Sequence, residues 1–391
     1  MPSRLPSLTG LRFWAALLVV LYHLARKTGE LPVLGPLAWY GRSGVTFFFV
    51  LSGFVLAWTY AGVPTTLRRF ARRRFARIWP LHALTTALSL GVDAAFGLAL
   101  PLAAVLWSLP LLHTWARGTV FGGNPASWSL AAEAWFYLLC PFLLRALTGR
   151  RRLWAPLAVL CAAAGPALWA AGPLLPADPA VRGWLLDYLP LTRTPQFLLG
   201  LVTGLAVRDG LLARVRLAPA AAAVAGWHLL LVPWHAAAPD TVWWGPYAAA
   251  QLFPAPLFAA LLAAAAHRDL GPTGGPRLLA GPVAGRLGEW SYAWYLVHEI
   301  VIRCWLRTAG RPDGPTALLA VWLLLGATTL ALAGVLYHAV ERPCERLLRG
   351  GPARRHRSPG TPLPHPRVRV VRQRRRSVIG DQPSSEPSRF T

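Results

Sequence analysis

Long apolar runs, set apart by short polar or basic connectors, recur along most of the chain. They fall near 8–26, 45–62, 78–98, 127–147, 154–175, 188–207, 217–235, 243–266, 288–309 and 315–339. A helix rises about 1.5 Å per residue and needs about 20 residues to cross the hydrocarbon core of a bilayer. The pattern predicts an all-α fold, a polytopic integral membrane bundle of about ten transmembrane helices. An eleventh run, 101–115, is short and opens on Pro101. The basic connectors decide how it is treated. Arg68 to Arg77 and Arg145 to Arg152 are rich in Arg, and such short loops belong on the cytoplasmic side. If 101–115 spans, they face opposite sides; if it is re-entrant or interfacial, both face inward. Arg208, Arg214, Arg216, Arg268, Arg277 and Arg286 then also fall inside, Asp178, Asp187 and Asp240 fall outside, and both termini are cytoplasmic.

Composition narrows the class. Of 391 residues, 55% are hydrophobic and 14% charged, which excludes a string of soluble domains. The formal charge of +25 is almost wholly Arg placed between spans or near the C-terminus, so a topology signal accounts for it and no nucleic-acid partner is expected. The run after Arg12 ends in Tyr22, His23 and Arg26 rather than a small-residue cleavage site, so the first helix is expected to stay in the protein. Cys140, Cys161, Cys304 and Cys344 form no Cys-x-x-Cys pair and have no His at ligand spacing, so neither a metal site nor a disulfide framework is expected. Residues 1–345 form the membrane domain. Residues 346–391, with "VRVVRQRRR" at 368–376, are expected to be a disordered, basic cytoplasmic tail attracted to anionic lipid headgroups.

Ionisable side chains inside spans are costly and mark function or an interface. In "LTGLRFWAALLVVLYHL", 8–24, Arg12 and His23 are separated by three helical turns plus about 20°, so they share a face with about 16 Å between them along the axis. Either Arg12 snorkels to the inner interface with His23 at the outer one, or both face the bundle interior. "GRSGVTFFFVLSGFVLAW", 41–58, sets Gly41, Gly44 and Gly53 for close helix approach, with Ser52 among them. In "RRRFARIWPLH", 72–82, Arg73, Arg74 and Arg77 serve either as topology determinants or as a phosphate-binding mouth, since guanidinium forks engage phosphate oxygens bidentately. "SWSLAAEAWFYLLCP", 127–141, sets Ser129 and Glu133 on one face. Glu133 is either an interfacial acid at a helix start or a buried carboxylate that needs a basic partner. Ser291, Tyr295 and His298, in "EWSYAWYLVHEIVI" at 289–302, form a polar stripe open to a substrate contact or a structural hydrogen bond. In the closing "ERP", Pro343 is read as stopping the last helix. No phosphate-binding Gly-Lys loop and no Gly-x-Ser-x-Gly elbow is present, so ATP hydrolysis and a serine-hydrolase mechanism lack support. A His acting as general base needs only proximity to its substrate and a partner that orients it.

In this order and spacing the five stretches resemble the membrane-bound acyltransferase-3 family, which includes O-antigen and peptidoglycan O-acetylases and macrolide acyltransferases. The resemblance covers about residues 5 to 345. It rests on "LTGLRFWAALLVVLYH", "GVTFFFVLSGF", "RRFARIWP", "WSLAAEAWFY" and "SYAWYLVH". It implies an O-acyltransferase that moves an acyl group, commonly acetyl, from cytoplasmic acyl-coenzyme A to a hydroxyl of a sugar-bearing acceptor, the coenzyme thioester being a co-substrate and not a bound cofactor. It implies His23 as the catalytic His and Glu133 as the Glu of the Trp-Ser-Leu motif. Arg12, Arg73, Arg74, Arg77 and His298 take the family's other marked positions, with Ser129, Ser291 and Tyr295 beside them as substrate contacts. Thr9 stands where many members carry Asp, so any role of that Asp is absent or filled by another group. No appended esterase-like domain is expected, only the basic tail.

Glu133 or another buried carboxylate is expected to orient His23, which either deprotonates the acceptor hydroxyl or carries the acyl group itself. The alternative is a transporter or exporter, in which the same polar stripe is a permeation path and nothing is chemically modified. A bacterial plasma membrane is the expected location, with a cell-envelope polysaccharide or a macrolide-type metabolite as acceptor.

Overall fold

Apolar runs that are long enough to bury a continuous stripe become helices throughout. The computed structural model describes residues 5–99, 102–237, 245–272 and 274–349, and no strand occurs among them. The longer helices are α1 (Pro6–Thr28), α2 (Ser43–Tyr60), α3 (Leu67–Ala95), α4 (Trp128–Leu147) and α5 (Trp154–Ala170) in the first half. In the second half they are α6 (Pro190–Arg208), α7 (Leu217–Ala237), α8 (Ala255–Leu270), α9 (Pro282–Thr308) and α10 (Gly314–Leu336). Seven stretches, containing α1, α2, α4, α5, α7, α8 and α10, are long and apolar enough to cross a membrane. Helices α3, α6 and α9 coincide with the remaining predicted runs but carry buried polar and charged residues that lower their hydropathy.

The helices can be compared with the sequence pattern segment by segment. Helix α3 starts at Leu67, where Thr66 Oγ1 accepts from the Arg69 N–H at 3.2 Å, so the basic segment 68–77 is the first third of a helix and not a connector. Within 101–115 only Leu102–Ser108 is helical, too short to span. After α10 the backbone widens into a π turn, Tyr337–Glu341, and continues as α11 (Arg342–Leu348). Pro343 lies in the first turn of α11, where its missing N–H is not needed, so it does not stop the helical path as the sequence reading has it. The run 243–266 begins outside the described residues and divides at Phe253 and Pro254 into Pro246–Leu252 and α8. Asp240 and the tail from residue 350 onward lie outside the described residues.

Close approach organises the bundle. Helix α1 packs along α9, and α2 along α6. Gly53 faces the Phe197 carbonyl and Gly200 the Val50 carbonyl, so a Cβ on either would strike backbone. Gly41 and Gly44 lie in the same way against Leu18 and Ala15 of α1, which is the packing role expected of small residues between membrane helices. On the perimeter, Val159 and Leu160 of α5 and Leu229 and Leu230 of α7 point outward, a surface suited to lipid tails. Gly200→Ala is expected to cost about 1–3 kcal/mol through overpacking. In detergent its unfolding midpoint should fall, while Gly226→Ala, where the added methyl meets open space, should hold or raise it.

Candidate active site

Two cavities abut along α1 and α9. One, of about 560 Å³, is lined by Arg12, Arg74, Arg77, Glu133 and their neighbours. The other, of about 600 Å³, is lined by His23, Arg26, Lys27, Glu299 and theirs. Val45 and Tyr295 line both. The shared helix face of Arg12 and His23 therefore does look inward, but each residue serves its own cavity.

In the first cavity Arg12 has no hydrogen bond or ion pair among the described residues, which leaves its guanidinium open to a ligand. Glu133 accepts from the Tyr137 hydroxyl and from Ser52 Oγ at 3.2 Å. Arg77 is paired with Glu341 and lies 3.9 Å from Glu345. Arg74 sits between the rings of Tyr60 and Tyr137, at 5.7 and 5.6 Å from their centroids, within cation–π range. Ser129 Oγ donates to the Tyr295 hydroxyl at 2.8 Å, whereas Ser291 turns its hydroxyl back to the Gly288 carbonyl at 2.8 Å. Thr9 also lines this cavity and brings no charge to it.

The second cavity brings two histidines and a buried carboxylate together. His23 Nδ1 lies 2.9 Å from the Val19 carbonyl oxygen and 3.2 Å from His298 Nε2, while His298 Nδ1 lies 3.1 Å from the Trp294 carbonyl oxygen. A carbonyl oxygen can only accept, so in the neutral pair both Nδ1 atoms carry the proton. His298 Nε2 then accepts from His23 Nδ1–H, and the lone pair of His23 Nε2 is left free at a cavity wall. Glu299 Oε2 lies 3.9 Å from that Nε2, is buried and has no hydrogen-bond partner, while Glu299 Oε1 accepts from Lys27, the chain's single lysine. A proton taken up at Nε2 would meet a carboxylate held ready to stabilise the imidazolium. This is the arrangement of a general base with an orienting partner.

Not every predicted residue converges. Arg74 and Arg77, one turn apart, face the first cavity, but Arg73 on the same helix is half-buried and lines neither. Glu133 stands in the Arg12 cavity and makes no contact with His23; the buried carboxylate beside the imidazole is Glu299. Glu299 and Glu341 went unassigned in the sequence reading. Both are acids in or at the end of apolar runs, and the cost of burying a lone carboxylate was the signal available. His23, His298 and Glu299 bring one ligand atom each within 4.8 Å of one another. Lys27 already neutralises the carboxylate and Arg26 lines the same space, so a divalent cation there would meet repulsion, and the trio suits proton transfer better.

The profile of the acyltransferase-3 family, described as "Acyltransferase domain", matches residues 5–338, a range that contains every predicted site residue. The chain is similar to "Acyltransferase MdmB" of Streptomyces mycarofaciens, with 37% identity over 376 residues, which covers 88% of this chain and 92% of that relative. A shorter similarity, 40% over 91 residues, joins 22% of this chain to 44% of "Protein 2 in picA locus" of Rhizobium radiobacter. No solved structure matches. Because Glu341 is buried against Arg77, Arg77→Ala should strand a carboxylate and destabilise the protein by about 3–5 kcal/mol, whereas Arg77→Met with Glu341→Met should recover most of the loss, read as unfolding midpoints in detergent.

Proposed function

The chain belongs to the membrane acyltransferase-3 family and is an acyltransferase, and on that premise we propose that it moves an acyl group, acetyl foremost, from acyl-coenzyme A to a hydroxyl of a sugar-bearing acceptor. In this reading all of α1 to α10 cross a bacterial plasma membrane and both termini are cytoplasmic. The Arg12 cavity then opens to the cytoplasm and the His23 cavity to the outer side. Arg12, which has no hydrogen bond or ion pair among the described residues, and Arg74 receive phosphate oxygens of the donor, Arg77 being engaged by Glu341. Glu133 belongs to the donor side, where its carboxylate balances these guanidinium groups.

The donor's thioester end extends past Tyr295 toward His23, where the acceptor hydroxyl donates to Nε2. As the acceptor oxygen attacks the thioester carbonyl carbon, its proton passes to Nε2, and Glu299 stabilises the imidazolium. Collapse of the tetrahedral intermediate breaks the C–S bond, and the proton returns from Nε2 to the departing sulfur. The products are an ester and free coenzyme A. One observation carries the proposal: His23 Nε2 is free at the cavity wall, with its other nitrogen engaged and an unpartnered carboxylate oxygen 3.9 Å behind it.

The test is transfer of labelled acetyl from acetyl-coenzyme A in membranes that hold the protein. His23→Ala, present at the wild-type level, should lower the rate by about 10²–10⁴-fold, and undiminished transfer would sink the assignment. Glu133→Gln should act chiefly on the donor KM, with kcat little changed. The acceptor should gain an acyl mass in a spectrum, which an exporter would not add.

A further inference from the structure

Charge is distributed unevenly between the two cavities. Around the first, Arg12, Arg74, Arg77 and Arg349 face Glu133, Glu289 and Glu345 across the lining, with Glu341 bonded to Arg77 behind it, so cations and carboxylates balance. The His23 cavity is lined by Arg26, Lys27, Arg42, Arg303 and Arg311, and its lining holds one carboxylate, Glu299. Acids behind the wall do not restore the balance, because each serves two arginines. Asp187 receives Arg42 at 2.8 Å and Arg193 at 3.2 Å, while Asp93 receives Arg303 at 2.9 Å and Arg307 at 3.8 Å.

Glu299 is taken by Lys27. Arg26 then finds only the Tyr22 hydroxyl, at 3.1 Å, and Arg311 only the Lys27 carbonyl, at 3.2 Å, with no carboxylate partner for either among the described residues. Deeper in, Arg42 is 3% exposed and its Nε and Nη1 are buried without a hydrogen-bond partner. Arg26 and Arg311 are exposed at the mouth, where a ligand can reach them, whereas Arg42 is shut away from water, and buried positive charge is costly unless something neutralises it. Arg26 lies one turn beyond His23 on the same face of α1, about 4.5 Å further along the axis.

We infer that the His23 cavity is an anion-binding acceptor site. The acceptor carries a phosphate or carboxylate group close to the hydroxyl that is acylated. Arg26 and Arg311 hold that anion at the mouth, with Arg42 at the base, while the hydroxyl rests on His23 Nε2. The inference rests on the acyl-transfer reading above and narrows its acceptor to an anionic glycoside or glycan. An amine-bearing acceptor would be repelled, and a neutral one would leave the surplus uncompensated.

Binding of inorganic pyrophosphate to the detergent-purified full chain, with the donor site filled by saturating coenzyme A, tests this without a turnover. Saturable binding should weaken roughly tenfold or more in Arg26→Gln with Arg311→Gln, and should survive Arg12→Gln. Absent binding, or binding that the double variant leaves intact, overturns the inference. Loss of coenzyme A binding in the double variant, with coenzyme A binding retained in Arg12→Gln, also overturns it, because the surplus would then hold the donor's phosphates. None of these readouts needs His23, so failure of the acyl-transfer reading, judged by His23→Ala, is seen separately.

Discussion

Contact between α1 and α9 is the interaction on which the rest depends. Gly288 lets α9 settle against the Thr9 backbone, and from there the two helices run together. Phe13 stacks on Trp294 with ring centroids 5.6 Å apart, His23 meets His298, and Lys27 meets Glu299. In a low-dielectric bundle each of these ionisable groups would be unstable alone, and helix packing supplies its partner. The contact between these two helices is thus also the one that orients the His23 imidazole. Loss of packing here would be felt in the chemistry before it was felt in the fold.

The same requirement recurs at the helix ends. Ser7 donates through its backbone N–H and its hydroxyl to Asp269, at 2.8 and 2.6 Å, tying the start of α1 to α8. Arg77 and Glu341 tie α3 to the π turn that follows α10, and that widened turn places Glu341 inward. Arg303 reaches Asp93 and Ser89 on α3, at 2.9 and 2.5 Å. Polar groups in the apolar runs act as fasteners between specific helix pairs, and the cavities are the places where the fastening is incomplete.

Much of this was legible in the sequence because lipid imposes a simple periodicity. Run length located most of the long helices to within a few residues, as with 127–147 and α4, and small residues at Gly41, Gly44 and Gly53 pointed to close approach. Helix α3 extends back through an Arg-rich stretch that hydropathy alone reads as a loop, because Arg is a good helix former and Thr66 is a suitable cap. Shared helical phase put Arg12 and His23 on one face and left open whether that face looks inward. It could not show that two cavities divide that face, nor which carboxylate accompanies the imidazole. Pairing across the bundle depends on which helices touch, and Glu133 and Glu299 are equal candidates until α1 is seen to lie against α9.

Tyr295 and Val45 are the side chains common to both cavities. With the cavities opening to opposite faces, as in the proposed orientation, the insulating thickness of the membrane narrows here to a pair of side chains. Most of the transmembrane voltage would fall across them, at about 2.3 kcal/mol per elementary charge per 100 mV. A neutral thioester and its acyl group can pass that point without electrical work. The donor's phosphates cannot, nor can a charged acceptor return the other way. In the proposed orientation this aromatic divide would sort by charge: the reacting carbon could be shared between the two faces while every ion stayed on its own side.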